Sequence, residues 1–361
     1  MFGLRTTWIG WRNALLSRPH FQRFAADFPL TRHIAHTRTE VLFDLVAGFV
    51  YSQVLHACIQ LDVFNRLRAG PLDVATLATV ADLPAPAMAR LLNAAAALDL
   101  VEVIGERFAL GPQGAALLGN AGLADMIRHH DRLYADLLDP VALLRRGRGE
   151  HLAGYWPYAT SAQPGVAGGE DVSAYSSLMA ATQPAVAADV LDAHSMRRYR
   201  VVMDVGGGEG GFLAALSARW PHVELRLFDL PAVVARARVN VPKAQLFGGD
   251  FLSDALPSGA DLITLVRILH DHDDDGVARI LAAARAALAS GGRLLIAEPM
   301  STPHPDRVGA AYFGLYLLAM GRGQVRPPKL LTEWLRRAGF GRVRLLHLRT
   351  PALLRILVAE A

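Results

Sequence analysis

The sequence predicts an α/β protein: a doubly wound, mostly parallel sheet ending in an antiparallel hairpin, preceded by a helical, winged-helix-like unit. Three observations lead there. First, the run Val201–Val205 enters a glycine turn, Gly206–Gly211, and resumes with Phe212, Leu213, Leu216 and Trp220 at helical spacing, which reads as strand, turn and helix start. Second, from Arg200 onward short apolar runs alternate with helical patterns, the signature of a parallel sheet. Third, Val343–Leu348 and Leu353–Val358 are joined by a short break at Pro351, so they must be antiparallel neighbours.

With 361 residues the chain is long enough for two domains of ordinary size. It is 52% hydrophobic and only 19% charged, which suits large internal surfaces or a partner interface. No uninterrupted apolar run reaches the roughly 18 residues that a spanning helix needs. Ala310–Met320 comes nearest, and Arg12 and Arg18 interrupt any secretory signal. Cys58 is the sole cysteine, which excludes an internal disulfide and suits a reducing cytoplasm.

Residues 1–38 form a basic arm. Arg5, Arg12, Arg18, Arg23, Arg32 and Arg38 face only Asp27 and Glu40, interleaved with Trp8, Trp11, Phe21, Phe24 and Phe28. Such a segment either lies on an anionic membrane surface or packs on a second subunit.

Residues 39–118 follow as the winged-helix-like unit. Leu42, Leu45, Val46, Phe49 and Val50 recur at helical spacing, and Leu72–Ala78 reads as a second helix. Pro86 opens a third helix, and Gly105-Glu106 turns a hairpin between Leu100–Ile104 and Arg107–Leu110. A DNA-reading helix needs groove-reading side chains, yet the third helix offers only Arg90 and Asn93 among alanines. No nucleic-acid partner is expected. Residues 119–195 are a helical connecting region in which Tyr134, Tyr155, Trp156, Tyr158, Tyr175 and Met179 can line a pocket for a large apolar ligand.

In the sheet domain, residues 196–361, ligands belong at the carboxyl ends of the strands, where strand order reverses. The glycine turn satisfies two patterns at once. Gly206, Gly208 and Gly211 fit a dinucleotide fingerprint, while Asp204, Gly206, Gly208 and Gly210 fit the loop of S-adenosylmethionine enzymes. Asp229 ends the second strand, where it can bind ribose hydroxyls, and Asp250 and Phe251 end the third, where they can border an adenine. His270 is expected to end the fourth strand and Glu298 the fifth. A neutral imidazole can take a proton from a hydroxyl, with Glu298 holding its other nitrogen and Asp271 supporting it or capping the next helix. The run His270–Asp275 is rich in metal-ligand types. Helix-start acids explain it more simply, and no metal is expected.

Asp204–Gly208, Asp229-Leu230-Pro231, Gly249-Asp250-Phe251, Leu269-His270-Asp271 and Ala338-Gly339-Phe340 resemble, in order and spacing, the motif series of dimeric, metal-independent O-methyltransferases. The resemblance covers the chain from about residue 175 to its end, and the winged-helix-like unit also matches. It implies a class I methyltransferase sheet, S-adenosylmethionine as cofactor, His270 as base flanked by Glu298, and an N-terminal unit that dimerises. It further implies that Met179, Leu230 and Arg267 border the cofactor. Two positions depart from the family pattern: Val266, with Arg267 beside it, stands where plant members carry a lysine, and Val325 stands near where they carry a second flanking glutamate.

Arg18–Phe24, Phe28–Arg32, Phe43–Gln53, Tyr134–Pro140 and Tyr312–Gly321 further resemble the hydroxycarotenoid methyltransferases of purple photosynthetic bacteria. That resemblance implies methylation of the tertiary hydroxyl of an acyclic carotenoid (demethylspheroidene or hydroxyneurosporene type). It also implies peripheral contact with the photosynthetic membrane. The alternatives are another apolar acceptor such as a bacteriochlorophyll ring, a nicotinamide oxidoreductase or a DNA-binding regulator.

Overall fold

The computed structural model describes residues 2–155, 169–302, 307–348 and 354–361. It divides into two compact units, Met1–Leu118 and Gly119–Ala361.

The first unit opens with α1 (Phe2–Leu16), α2 (Pro19–Asp27) and α3 (Arg32–Gln60). Next come α4 (Val63–Leu67), β1 (Leu72–Asp73), α5 (Val74–Val80) and α6 (Ala85–Ala97). The hairpin β2 (Val101–Ile104) and β3 (Arg107–Leu110) precedes α7 (Pro112–Leu118). The expected helix at Leu72 starts two residues later, because the Asp73 carboxylate caps it by accepting the Thr76 N–H at 2.7 Å. Leu72 and Asp73 instead pair with β3, giving a small sheet in the order β1-β3-β2. The core of this unit gathers Cys58, Phe64, Leu67, Leu77, Met88, Leu92 and Phe108.

The long helix α3 behaves differently. Of its residues only His56, Cys58 and Ile59 are buried, while Leu42, Leu45, Val46 and Phe49 are 63–72% exposed. Their spacing marked a helix correctly, but none of the described residues covers that face. By length and composition alone, α3 is also apolar enough to cross a membrane. Ala310–Met320, the apolar run too short to span, falls across a π-helical turn, Arg307–Phe313, and a short helix, Gly314–Met320.

The second unit begins with α8 (Ala121–Leu137), α9 (Pro140–Arg146) and α10 (Gly169–Ala193). Thereafter strands and helices alternate: β4 (Val201–Val205), α11 (Gly211–Arg219), β5 (Glu224–Asp229), α12 (Pro231–Asn240), β6 (Gln245–Gly248) and β7 (Ala260–Val266). Then follow α13 (Asp274–Ala287), β8 (Leu288–Glu298), α14 (Gly314–Met320), α15 (Pro328–Arg337), β9 (Val343–Leu346) and β10 (Arg355–Glu360). The seven strands order as β6-β5-β4-β7-β8-β10-β9. β4 to β8 are mutually parallel, and β10 runs antiparallel between β8 and β9. The break at Pro351 lies outside the described residues.

Apolar clusters fill both faces of the sheet. One gathers Val190, Leu191, Phe212, Leu216 and Ala237 from α10, α11 and α12. The other gathers Val277, Ile280, Leu281, Leu331 and Leu335 from α13 and α15. A third cluster joins Leu133, Leu143, Leu152, Tyr316, Leu317 and Met320. Strand order reverses between β4 and β7, which places the crevice at their carboxyl ends.

Candidate active site

On the β4 side of the crevice, Gly206, Gly208 and Gly210 all have positive φ, at 71°, 59° and 83°. A side chain at Gly206 would run into Ile268, whereas nothing lies within 4 Å of one built at Gly208. At Gly208 the turn therefore presents bare backbone to open space just ahead of α11.

Two acids stand behind it. Asp204 is buried; its Oδ1 accepts the Thr264 hydroxyl at 2.6 Å and its Oδ2 has no partner among the described residues. Burial pushes its carboxyl up to about 7. Asp229 accepts the N–H groups of Gly208 at 2.8 Å and Leu230 at 2.7 Å. Burial outweighs those bonds and lifts its carboxyl to about 6. Asp250 Oδ1 accepts the Leu252 N–H at 2.8 Å, and the Phe251 ring meets His272 edge-on with centroids 5.4 Å apart.

The β7 side corrects one expectation. The strand stops at Val266, not at His270, because Arg267 turns left-handed with φ 59°. His270 sits in a short 3₁₀ turn, Leu269–Asp271. The Arg267 guanidinium reaches α10, donating to Thr182 Oγ1 at 2.6 Å, Gln183 Oε1 at 2.6 Å and the Met179 carbonyl at 3.1 Å. Met179 therefore meets the β7 end through its backbone.

His270 is buried between carboxylates. Its Nε2 lies 3.2 Å from Asp271 Oδ1, and its Nδ1 lies 3.5 Å from Glu298 Oε2. Glu298, almost fully buried, accepts the backbone N–H of His270 at 3.1 Å. Burial depresses the imidazole pKa, but the charges of Asp271 and Glu298 outweigh it and raise the net value. The Asp271 carboxyl is raised by burial. The aspartates that follow are engaged at a helix start: Asp273 caps α13 through the Gly276 N–H at 2.8 Å, and Asp274 binds Arg326 at 2.7 Å.

An aromatic wall adjoins the histidine. The Phe313 ring stands edge-on to His270 with centroids 6.4 Å apart, and Tyr312 stacks on Tyr316 at 5.8 Å. From α8, His130 Nε2 bonds the Tyr312 hydroxyl at 2.7 Å and His129 Nε2 bonds the Tyr316 hydroxyl at 3.1 Å. Of the expected pocket aromatics, Trp156 and Tyr158 and the side chains of Tyr155 and Tyr175 lie outside the described residues.

The sequence reading missed the two histidine–tyrosine pairs and the strap Gly323–Arg326. Each pair joins residues more than 180 positions apart, and no local pattern marks such a contact.

A glycine cradle facing a buried histidine–carboxylate cluster across a switch point defines a class, and sequence comparison agrees. Residues 148–341 match the O-methyltransferase domain family and residues 43–120 the O-methyltransferase dimerisation domain. The chain belongs to the O-methyltransferases. It is 41% identical to the demethylspheroidene O-methyltransferase of Rhodobacter capsulatus, over 97% of this chain and 88% of that protein. Identity to the enzyme of the same name from Cereibacter sphaeroides is also 41%, over 95% and 92%. The structure resembles human N-acetylserotonin methyltransferase solved with S-adenosylmethionine, with TM-score 0.77, 25% identity and coverage of 90% and 97%.

The protein is thus an S-adenosylmethionine-dependent O-methyltransferase, and the dinucleotide reading of the glycine turn falls away. The site suits that cofactor. The turn presents bare backbone to open space at Gly208, and the buried Asp204 Oδ2 lacks a donor among the described residues.

Proposed function

We propose that this chain methylates the tertiary hydroxyl of an acyclic hydroxycarotenoid of the demethylspheroidene type, with His270 as general base. One observation carries the reading: a buried imidazole flanked by two carboxylates opens onto an aromatic wall. The names and high identity of the photosynthetic-bacterial relatives support the acceptor. A polyene end brings no charge, and Phe313, Tyr312 and Tyr316 match it with rings whose hydroxyls are already bonded to histidines.

When bound, the cofactor supplies an electrophilic methyl group. Gly206, Gly208, Asp204, Asp229 and Leu230 would hold it, with Asp250 and Phe251 beside the adenine and Met179 and Arg267 closing the α10 side. Glu298 faces Nδ1 and Asp271 faces Nε2, and the ring nitrogen left without a proton accepts that of the attacking hydroxyl. Asp271 and Glu298 then stabilise the imidazolium that forms. The burial of His270 and Glu298 strengthens their interaction.

We also infer a homodimer built through the N-terminal unit, supported by its dimerisation-domain match and the uncovered face of α3. For the arm, six arginines beside exposed Trp8 and Trp11 support peripheral contact with an anionic membrane, where such a substrate dissolves.

His270→Ala should cut turnover of demethylspheroidene at least about 10²-fold, the low end for general-base loss, while S-adenosylhomocysteine still binds in calorimetry. Near-normal turnover by the folded variant would refute the base. Parallel assays with a bacteriochlorophyll precursor test the acceptor.

A further inference from the structure

We infer that Arg326 is a positioning residue: it aims the catalytic base by clamping the backbone of the turn that carries it. The inference rests on His270 being the base.

The ring of His270 has its nearer carboxylate at Nε2, 3.2 Å from Asp271 Oδ1, and is held less closely at its other nitrogen. Its Nδ1 makes no hydrogen bond among the described residues, and Glu298 reaches the His270 backbone N–H, at 3.1 Å, more closely than it reaches the ring, at 3.5 Å. The turn itself, by contrast, is gripped. Arg326 Nη1 donates to the Leu269 carbonyl at 2.9 Å, and Nη2 donates to the His272 carbonyl at 2.8 Å. Between them, the Gln324 N–H donates to the His270 carbonyl at 2.8 Å. One short strap therefore takes the carbonyls of residues 269, 270 and 272. Gly323 lets it pass this close: its φ is +87°, and an added Cβ would strike the His270 carbonyl.

The clamp is built as a site. Arg326 is only 2% exposed, and a guanidinium so buried requires charge and full bonding. Asp274 supplies the charge, accepting from Nη2 at 2.7 Å and from Nε at 3.2 Å. Trp334 lies under the guanidinium at 5.2 Å. Asp274 also opens α13, so the fork ties the histidine turn to the first turn of that helix.

A planar fork is required for this pattern. Lysine could reach one carbonyl, but it could not bridge two carbonyls and a carboxylate in fixed geometry. Displacing a base by about 1 Å can cost about 10²-fold in rate. Val325, beside the clamp, packs into the apolar cluster of α8, α9 and α14. It brings no acid to the ring, so backbone clamping takes on the aiming of the base.

The test uses the full-length enzyme with S-adenosylmethionine and demethylspheroidene. R326K should lower kcat by at least about tenfold, a fraction of the loss a misplaced base can cause, with S-adenosylhomocysteine affinity unchanged. In an H270A background the same change should leave the residual rate alone, because Arg326 acts only through the ring. Unchanged kcat in R326K, or an equal fold loss in both backgrounds, overturns the inference. Should R326K fail to bind S-adenosylhomocysteine, D274A replaces it. Asp274 is largely exposed, so its loss loosens the fork without opening the core. A several-fold fall in kcat confined to the His270 background is then expected, and no fall overturns the proposal. Full turnover by H270A alone would instead remove the general-base reading.

Discussion

At the scale of single residues, the site sets two opposing effects on His270. Burial favours the neutral ring, and the carboxylates of Asp271 and Glu298 favour the charged one and win. A base must be neutral to accept a proton, so in the role proposed for His270 a raised pKa would hold part of the enzyme inactive near neutrality. The rising limb of kcat/KM against pH should therefore have its midpoint above the ordinary imidazole value of about 6.5, with activity lost as pH falls through it. Asp271 is the larger raising influence. Asp271→Asn removes its charge and leaves the burial, so the limb should move to lower pH. A limb that stays put or moves upward would show that Asp271 does not set the proton affinity of the base. On the proposed mechanism the compensation is electrostatic: the same two carboxylates that delay deprotonation of the free enzyme would stabilise the cation formed when the hydroxyl gives up its proton.

At the scale of elements, legibility in the sequence follows the range of the forces involved. β4 and β7 were readable because strands buried on both faces are nearly continuous apolar runs, β5 because its apolar residues alternate with polar ones before Phe228, and Asp204, Gly206, Asp229 and His270 stand at or just beyond their carboxyl ends. The end of β7 was not readable. Its strand breaks because Arg267, a non-glycine, adopts a left-handed backbone and ties its side chain to α10 some 85 positions away. Arg326 was invisible for the same reason, its partners lying 52 to 57 positions back in the chain. β1 was absorbed into a helix because only two residues pair before Asp73 caps α5. The strap between α14 and α15 carries the prediction at this scale. Gly323→Ala adds a methyl group against the His270 carbonyl at a φ of +87°, a conformation that costs a side chain roughly 1–2 kcal/mol. The variant should unfold at a lower temperature and lose at least about tenfold in kcat, since the base moves with its backbone, while cofactor affinity stays intact. A variant with wild-type kcat would mean that the strap touches the turn without positioning it.

At the scale of the whole molecule, two apolar surfaces of the N-terminal unit call for two different partners. Leu42, Leu45, Val46 and Phe49 share one stripe of α3 at helical spacing and are more than 60% exposed. Fully burying each is worth about 1.5–3 kcal/mol, so a second copy covering this stripe gains several such contributions. The stripe itself carries no arginine to match an anionic surface. The arm reverses that balance: Trp8 and Trp11 are exposed on α1, the Arg12 guanidinium lies over the Trp8 ring at 5.1 Å, and arginines outnumber acids six to two in the first forty residues. Aromatic rings with basic neighbours suit a headgroup layer. The two surfaces should therefore separate by mutation. L45E/F49E should sediment as a monomer where the parent chain is a dimer, because each buried carboxylate would need a partner the interface lacks. Removing residues 1–38 should leave the dimer intact and abolish binding to vesicles containing phosphatidylglycerol, a binding that in the full chain should weaken as salt rises. Neutral phosphatidylcholine vesicles should bind either form weakly. If the truncated chain binds anionic vesicles as well as the full one, the arm is not the membrane contact; if truncation dissolves the dimer instead, the arm belongs to the subunit interface.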